Sequence, residues 1–291
     1  MKKAFPTNQT RPGEPPRNNQ QAGVTKEKAM KSSLTRLAAA LLASGLLLAS
    51  AARADALQDI QKSGTLRIGV FMDYPPFASI GKDMKPHGYD IDMGNLLARQ
   101  LKAKVALVSV TGDNRMAFLA THKVDVLMSV GYSEERAKAI DFSDAYAPYY
   151  LAVFGPKKLK VKDTGDLDSK TIAVARGTLE DTSVTKAAPA SANIMRFDDP
   201  NGAISAFLSG QAQLLVIGND VGATIIARRP SIDPEQKFPL FSSPDHIGLN
   251  RNEPALKEQL NQAIAKAKKD GTLNKISTTW LHSPLPDDLE K

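Results

Sequence analysis

The chain of 291 residues has no cysteine. That excludes a disulfide framework, a thiolate metal site and lipid attachment at a leader cysteine. Its four histidines, His87, His122, His246 and His282, show no metal-ligand spacing. No metal or other cofactor is therefore expected. The apolar run LAAALLASGLLLAS at 37–50 is shorter than the roughly 20 residues that a bilayer-spanning helix needs. ARGTLED (175–181) is not a phosphate-binding loop, because no Gly-Lys-Ser/Thr follows. No tandem repeat or low-complexity segment occurs after residue 55. A one-signed charge is missing as well. The net charge of +7 suggests a polyanion partner until it is located: residues 1–54 hold nine Lys/Arg and two Asp/Glu, and residues 55–291 hold 29 of each. A nucleic-acid-binding surface has no support in the main part of the chain.

What is present begins with a secretion leader. MKSSLTR (30–36) is a basic segment, 37–50 is the apolar run, and ARA (52–54) before Asp55 fits a small-x-small cleavage site. The alternative is an uncleaved anchor. Residues 1–29 are polar and rich in Pro, Asn and Gln. They read as a disordered extension, with Met30 the more natural start. The mature product is expected to be a soluble, exported, periplasmic chain of about 237 residues, long enough for a large core without covalent staples. It is expected to be a monomer with no stable membrane insertion after cleavage.

Beyond Asp55 the pattern alternates. TLRIGVF (65–71), KVALVSV (104–110) and VDVLMSV (124–130) read as strands. Between them, 90–101 has apolar residues at helical spacing with Asp90 as its cap, and 114–122 is a short helix. This is a parallel α/β unit. The pattern then restarts: strands at 149–156, near 172, at 193–197, at 213–219 and at 246–252, helices at 201–210 and 221–229, and a helix pair over 253–281 broken at Asp270-Gly271. Two lobes of similar size follow, with the chain crossing near 152–156 and again near 242–247. The expected boundaries are 55–153 and 246–291 for lobe 1 and 154–245 for lobe 2. Two adjacent crossings make a hinge, with a ligand site in the cleft between strand ends.

One residue in SVGYSEERAKAIDFSDAY (129–146) is out of place. Ser133 caps a short helix, and Arg136 then sits in its first turn, where a cation opposes the helix dipole. Something negative must compensate it. Either a surface carboxylate, Glu134 or Asp141, or a ligand would do so.

In order and spacing, LRIGVFMDYPPF (66–77), HGYDIDMGNLLARQL (87–101), HKVDVLMSV (122–130), SEERAKAIDFSDAY (133–146), IAVARGTLED (172–181) and KKDGTLNKISTTW (268–280) resemble the bacterial extracellular solute-binding proteins of family 3. These are polar amino-acid-binding proteins that serve ABC importers. The resemblance implies a type II periplasmic-binding-protein fold: two α/β lobes, each a mostly parallel sheet flanked by helices, joined by a two-strand hinge. It implies a small amino acid or related carboxylate as ligand and an ABC transporter permease as partner. By the same resemblance Arg136 grips the ligand α-carboxylate, Thr178 adds a hydroxyl and a backbone N–H to it, and Tyr74 packs on the ligand side chain. Ser129 and Gly131 offer strand-end contacts, Ser129 to the ligand amine. The other reading of Thr178 is plain helix capping.

Arg115 lies where relatives that bind acidic amino acids carry an arginine, which slightly favours an acidic ligand. Its other reading is a surface pair with Asp113 or Asp125. The family's usual aspartate for the ligand ammonium is replaced by Gly218, leaving Asn219 or Asp220 to take that task, with helix capping as the other reading of Asp220. Gly112 stands where an aromatic is common, which suggests room for a longer ligand. The rival function is a periplasmic enzyme resembling cyclohexadienyl dehydratase, with Glu180, Asp181 or Asp220 as general acid. A receptor's sensor module lacks support, since no membrane-spanning stretch follows Trp280 in this sequence.

Overall fold

The computed structural model describes residues 56–228 and 233–290; the expected extension at 1–29 and leader at 30–54 lie outside them. From the start, α1 (Ala56–Ser63) leads into β1 (Thr65–Val70). The short strands β2 (Asp73–Tyr74), β3 (Ala78–Ile80) and β4 (Pro86–His87) follow. Then come α2 (Tyr89–Gln100), β5 (Lys104–Ser109), α3 (Arg115–Ala120), β6 (Val126–Gly131), the single turn α4 (Glu134–Ala137) and β7 (Ile140–Ala147). The next block is β8 (Tyr150–Pro156), β9 (Thr171–Ala175), α5 (Leu179–Ala187), β10 (Asn193–Phe197), α6 (Pro200–Leu208), β11 (Leu214–Gly218), α7 (Asn219–Arg228) and β12 (Pro234–Ser242). Last come β13 (Asp245–Asn250), α8 (Pro254–Lys269), α9 (Thr272–Trp280) and α10 (Asp287–Glu290).

The strands form two five-stranded sheets, ordered β5-β1-β6-β13-β7 and β10-β9-β11-β8-β12, and a small antiparallel sheet β2-β3-β4. In each large sheet one strand runs against the rest: β13 pairs antiparallel with β6 and β7, and β8 pairs antiparallel with β11 and β12. These are the strands that enter from the other sheet, so the double crossing reverses them. The central parallel strands carry the core: Leu66, Ile68 and Val70, on one face of β1, are nearly inaccessible, while β5 and β10 at the sheet edges are only half-buried. The C-terminal helices return to the first sheet. Leu256, Leu260, Ala263, Ile264 and Ala267 form the buried stripe of α8, and Gly271, at φ 77°, separates α8 from α9.

Three features differ from expectation. The first passage between sheets lies between Ala147 and Tyr150, not near 152–156, because β8 is already paired in the second sheet from Tyr150. The expected boundary at 153 therefore falls inside a strand. β12 and the β2–β4 sheet had no visible signature. β12 carries Pro234 and Pro239, which a sheet tolerates at an edge, and its register shifts twice against β8. Strands of two or three residues around Pro75-Pro76 are too short to show a period. Asp90 is not the cap of α2; Gly88 is, and Asp90 lies buried in the first turn.

Candidate functional site

A cavity of about 520 Å³ of space free of protein atoms, part of it open to solvent, lies between the two large sheets. Phe71, Tyr74, Arg115, Ser129, Gly131 and Arg136 line it from the first half of the fold, and Ala175, Thr178, Leu179, Glu180, Pro200, Ala203, Val216 and Ile217 from the second. Tyr149 and Asp245, one at each passage between the sheets, complete it.

Arg136 lines this cavity rather than the outer surface. Ser133 Oγ accepts its backbone N–H at 3.2 Å, and its Nη1 donates to Gly131 O at 3.1 Å. With only four residues, α4 has no separate first turn, so the expected clash with the helix dipole is small. Burial is what disfavours the guanidinium: it pulls the pKa of Arg136 down, against the pull of Glu180, Tyr149 and Asp245. Arg115 is 3% exposed and is not paired with Asp113 or Asp125; Asp125 is taken by Arg67, at its backbone N (2.7 Å) and its guanidinium. Arg115 Nη2 donates to Met128 O (2.8 Å) and Ser129 O (3.1 Å), its guanidinium sits 4.8 Å over the Phe71 ring, and its Nε has no hydrogen-bond partner. Burial first, then Arg136, lowers its pKa to about 10, which leaves it charged at neutral pH. Among the described residues, no carboxylate lies within 4.0 Å of either guanidinium.

The facing half contributes the start of α5. Thr178 lines the cavity, but its hydroxyl donates to Ala175 O at 2.8 Å and accepts from Asp181 N at 3.3 Å. The hydroxyl's one hydrogen goes to Ala175 O, so a ligand carboxylate is left the backbone of this turn. Glu180 Oε1 accepts from Tyr149 Oη (2.7 Å) and Tyr74 Oη (2.9 Å), and the two hydroxyls touch. Tyr74 Oη also accepts from Gly218 N at 3.3 Å. This cluster ties β2, the first passage, α5 and β11 together. Burial, reinforced by Glu180, raises both phenol pKa values well above the ordinary tyrosine range, so the hydroxyls stay neutral donors.

Ser129 sits at φ 49°, a left-handed conformation rare for serine. Its N–H donates to Tyr146 Oη (2.9 Å) and its hydroxyl to Asp90 Oδ2 (2.7 Å), while Asp90 Oδ1 accepts from Tyr146 Oη (2.6 Å). Its polar hydrogens are thus committed inside the first half. Burial raises the Asp90 pKa to about 6 against the two hydroxyls that lower it. The folded protein keeps that proton until about pH 6, whereas the unfolded chain loses it near the ordinary value of 3.8. The Asp90 contribution to stability is therefore full below pH 4 and falls by roughly 3 kcal/mol as pH rises to 6 and beyond. Urea melts from pH 4 to 7 should show that decline, and Asp90→Asn should make it shallower, Asp220 supplying a decline over the same window; an unchanged slope in the variant would refute the assignment.

Asn219 and Asp220 do not line the cavity. Asn219 accepts from Tyr150 N (3.2 Å) and donates to Asp220 Oδ2 (2.9 Å), and Asp220 faces an outer groove beside Pro75, His87 and Trp280. The place of the usual aspartate is filled: a Cβ on Gly218 would lie 2.3 Å from the Tyr149 ring. Nor does Gly112 leave room for a longer ligand, because a Cβ there would lie 2.1 Å from Arg176 O of the facing half. Asp181 is used within its own half, by Arg196 Nε (2.8 Å), Gly177 N (3.2 Å) and Thr185 (3.2 Å). Asp245 and Phe71 were not singled out in the sequence. The one signal for Asp245 was a charge opening a strand whose middle, Ile247-Gly248-Leu249, is apolar.

The profile of the bacterial extracellular solute-binding proteins, family 3, matches residues 66–283. Among curated proteins, the ABC transporter arginine-binding protein 1 of Escherichia coli (strain K12) is 30% identical over 255 residues, 83% of this chain and 96% of that one. The L-cystine-binding protein TcyJ of the same strain is 25% identical over 254 residues, 86% and 95%. Among solved structures, the P235GK mutant of ArgBP from T. maritima superposes with a TM-score of 0.74 at 28% identity, covering 78% of this chain and all of the other. The ancestral amino acid-binding protein AncCDT-1, described as a precursor of cyclohexadienyl dehydratase, gives 0.70 at 30% identity, covering 78% and 100%.

Proposed function

This chain belongs to the bacterial extracellular solute-binding proteins of family 3, and from that premise we propose that it captures a small polar α-amino acid in the interlobe cavity and delivers it to an ABC importer. The observation that carries the proposal is the pair Arg136 and Arg115, both lining one small cavity with no carboxylate in ion-pair range among the described residues. Two guanidiniums lining one cavity, Arg115 buried and Arg136 half-buried, repel unless a ligand brings acceptors. In this reading Arg136 takes the α-carboxylate with its planar fork, aided by the backbone at the start of α5. The free Nε of Arg115 takes an acceptor on the ligand side chain, which favours an acidic or amide side chain. Tyr74 and Tyr149 wall the site, and the halves close over it and exclude water. Its place of work is the periplasm.

A thermal-shift screen of the purified protein with amino acids, dicarboxylates and opines tests this. A ligand at a hundred times its Kd stabilises by about 2.7 kcal/mol, which raises the melting temperature by roughly 5–10 °C for a chain of this size. Glutamate, aspartate or glutamine should lead the ranking; no shift with any amino acid would sink the proposal. The second reading is turnover on the same scaffold, favoured by Glu180, a buried carboxylate in the cavity held by two phenols. Loss of prephenate or arogenate on incubation would support it, and stable retention of an unchanged amino acid would count against it.

A further inference from the structure

We propose that Asp245 is the residue that receives the ligand's ammonium group, replacing at the second passage the aspartate that Gly218 cannot supply. The assignment rests on the amino-acid reading above. Asp245 is 1% exposed and lines the cavity, and its Oδ2 makes no hydrogen bond to any described residue. A buried carboxylate oxygen without a donor is costly, and it persists where function supplies the partner. Position favours the same conclusion. Asp245 opens β13 in register with Gly131 of β6 and Ala147 of β7. Gly131 O is the acceptor that holds the Arg136 guanidinium. Neighbouring strands lie about 5 Å apart, so Asp245 stands beside the carboxylate grip, where the ammonium on the same ligand carbon must lie.

The other candidates are occupied. Asn219 and Asp220 bond to each other outside the cavity, and Glu180 Oε1 already takes two phenol hydrogens. Asp245 also lies at a passage between the sheets, so a cation drawn to it acts where the two halves join.

The charged groups facing Asp245 are Asp90, Glu180 and Asp220, which oppose its ionisation, and Arg115 and Arg136, which favour it; the nearby Tyr74, Tyr89, Tyr146 and Tyr149 hydroxyls are neutral. Burial and the three carboxylates hold its pKa well above the usual aspartate range, and an arriving ammonium would pull it down. Binding of an amino acid should then release protons and tighten as pH rises through the titration of free Asp245, an effect that a ligand without the ammonium lacks.

The test is calorimetry on the purified protein with matched pairs: L-glutamate and glutarate, L-glutamine and glutaramate, L-arginine and 5-guanidinopentanoate, L-histidine and imidazolepropionate. Wild type should prefer the amino acid of the bound pair by a hundredfold or more. Asp245→Asn should lower amino-acid affinity at least thirtyfold and leave the des-amino partner within threefold, and Glu180→Gln should keep the preference. If Asp245→Asn does not fold, the wild type decides through proton release with the amino acid and none with its partner. A preference that survives Asp245→Asn, equal losses for both partners, a preference lost in Glu180→Gln instead, or equal proton release for both ligands would overturn this assignment alone. A wild type that binds no amino acid in the thermal-shift screen overturns the amino-acid reading and this assignment with it.

Discussion

Arg136→Ala is expected to weaken amino-acid binding by about 2–5 kcal/mol, a loss of roughly thirtyfold to several thousandfold. The ligand carboxylate would remain buried against the start of α5 with its fork of donors gone. Most of the loss is the cost of that stranded charge rather than the worth of the contact itself. Arg136→Lys should recover only part of it, since an ammonium is a point charge without the two parallel donors. The unliganded protein should melt at the same temperature or slightly higher. The one hydrogen bond that the Arg136 side chain makes among the described residues is to Gly131 O, and burial of its charge is itself unfavourable. Calorimetry showing less than a tenfold loss would refute the role.

Gly112→Ala is expected to hold the two halves apart. In the closed arrangement its Cβ would lie 2.1 Å from Arg176 O and 3.0 Å from Thr178 Cγ2. A backbone carbonyl does not swing aside as a side-chain tip does. The reciprocal contact is equally tight: Gly177, at φ 71°, has room for no side chain between Gly112 and Asp113. Overpacking of this kind costs about 1–3 kcal/mol, and here the whole cost falls on the closed form. Ligand affinity should therefore drop by roughly 5- to 150-fold, because a ligand bound by both halves must supply that energy. Small-angle scattering should show the ligand-saturated variant more expanded than wild type, while the melting temperature of the free protein stays unchanged. Normal compaction with affinity within twofold of wild type would show that the halves do not meet there on binding.

A residue that the sequence marks by a local signal, Arg136, does line the cavity. Ser133 and Arg136 share one turn, which is legible in sequence, but the reason Arg136 needs a partner is its burial rather than the dipole of so short a helix. Arg115 was left with two readings, because Asp125 is an equally plausible partner in one dimension; only the sheet shows that Arg67, on the neighbouring strand, has taken it. Thr178 was visible as a cap and as a ligand contact at once. The hydrogen on its oxygen goes to Ala175 O, and that is a fact of turn geometry rather than of residue type. The prolines of β12 hid a strand because its pairing partner, β8, lies about 80 residues earlier.

The sequence by itself determined the alternation of strands and helices, the break at Gly271, the family and the guanidinium at 136. Each of these follows from residues within one or two turns of each other, or from motifs kept in order along the chain. Tertiary structure alone decided what shares the cavity. Tyr74, Tyr149, Glu180 and Asp245 come from four separate segments, and two of them stand at the passages where the chain changes sheets. Which carboxylate is left without a donor depends on every neighbour that reaches it through space, and that sum is complete only when the chain has folded back on itself.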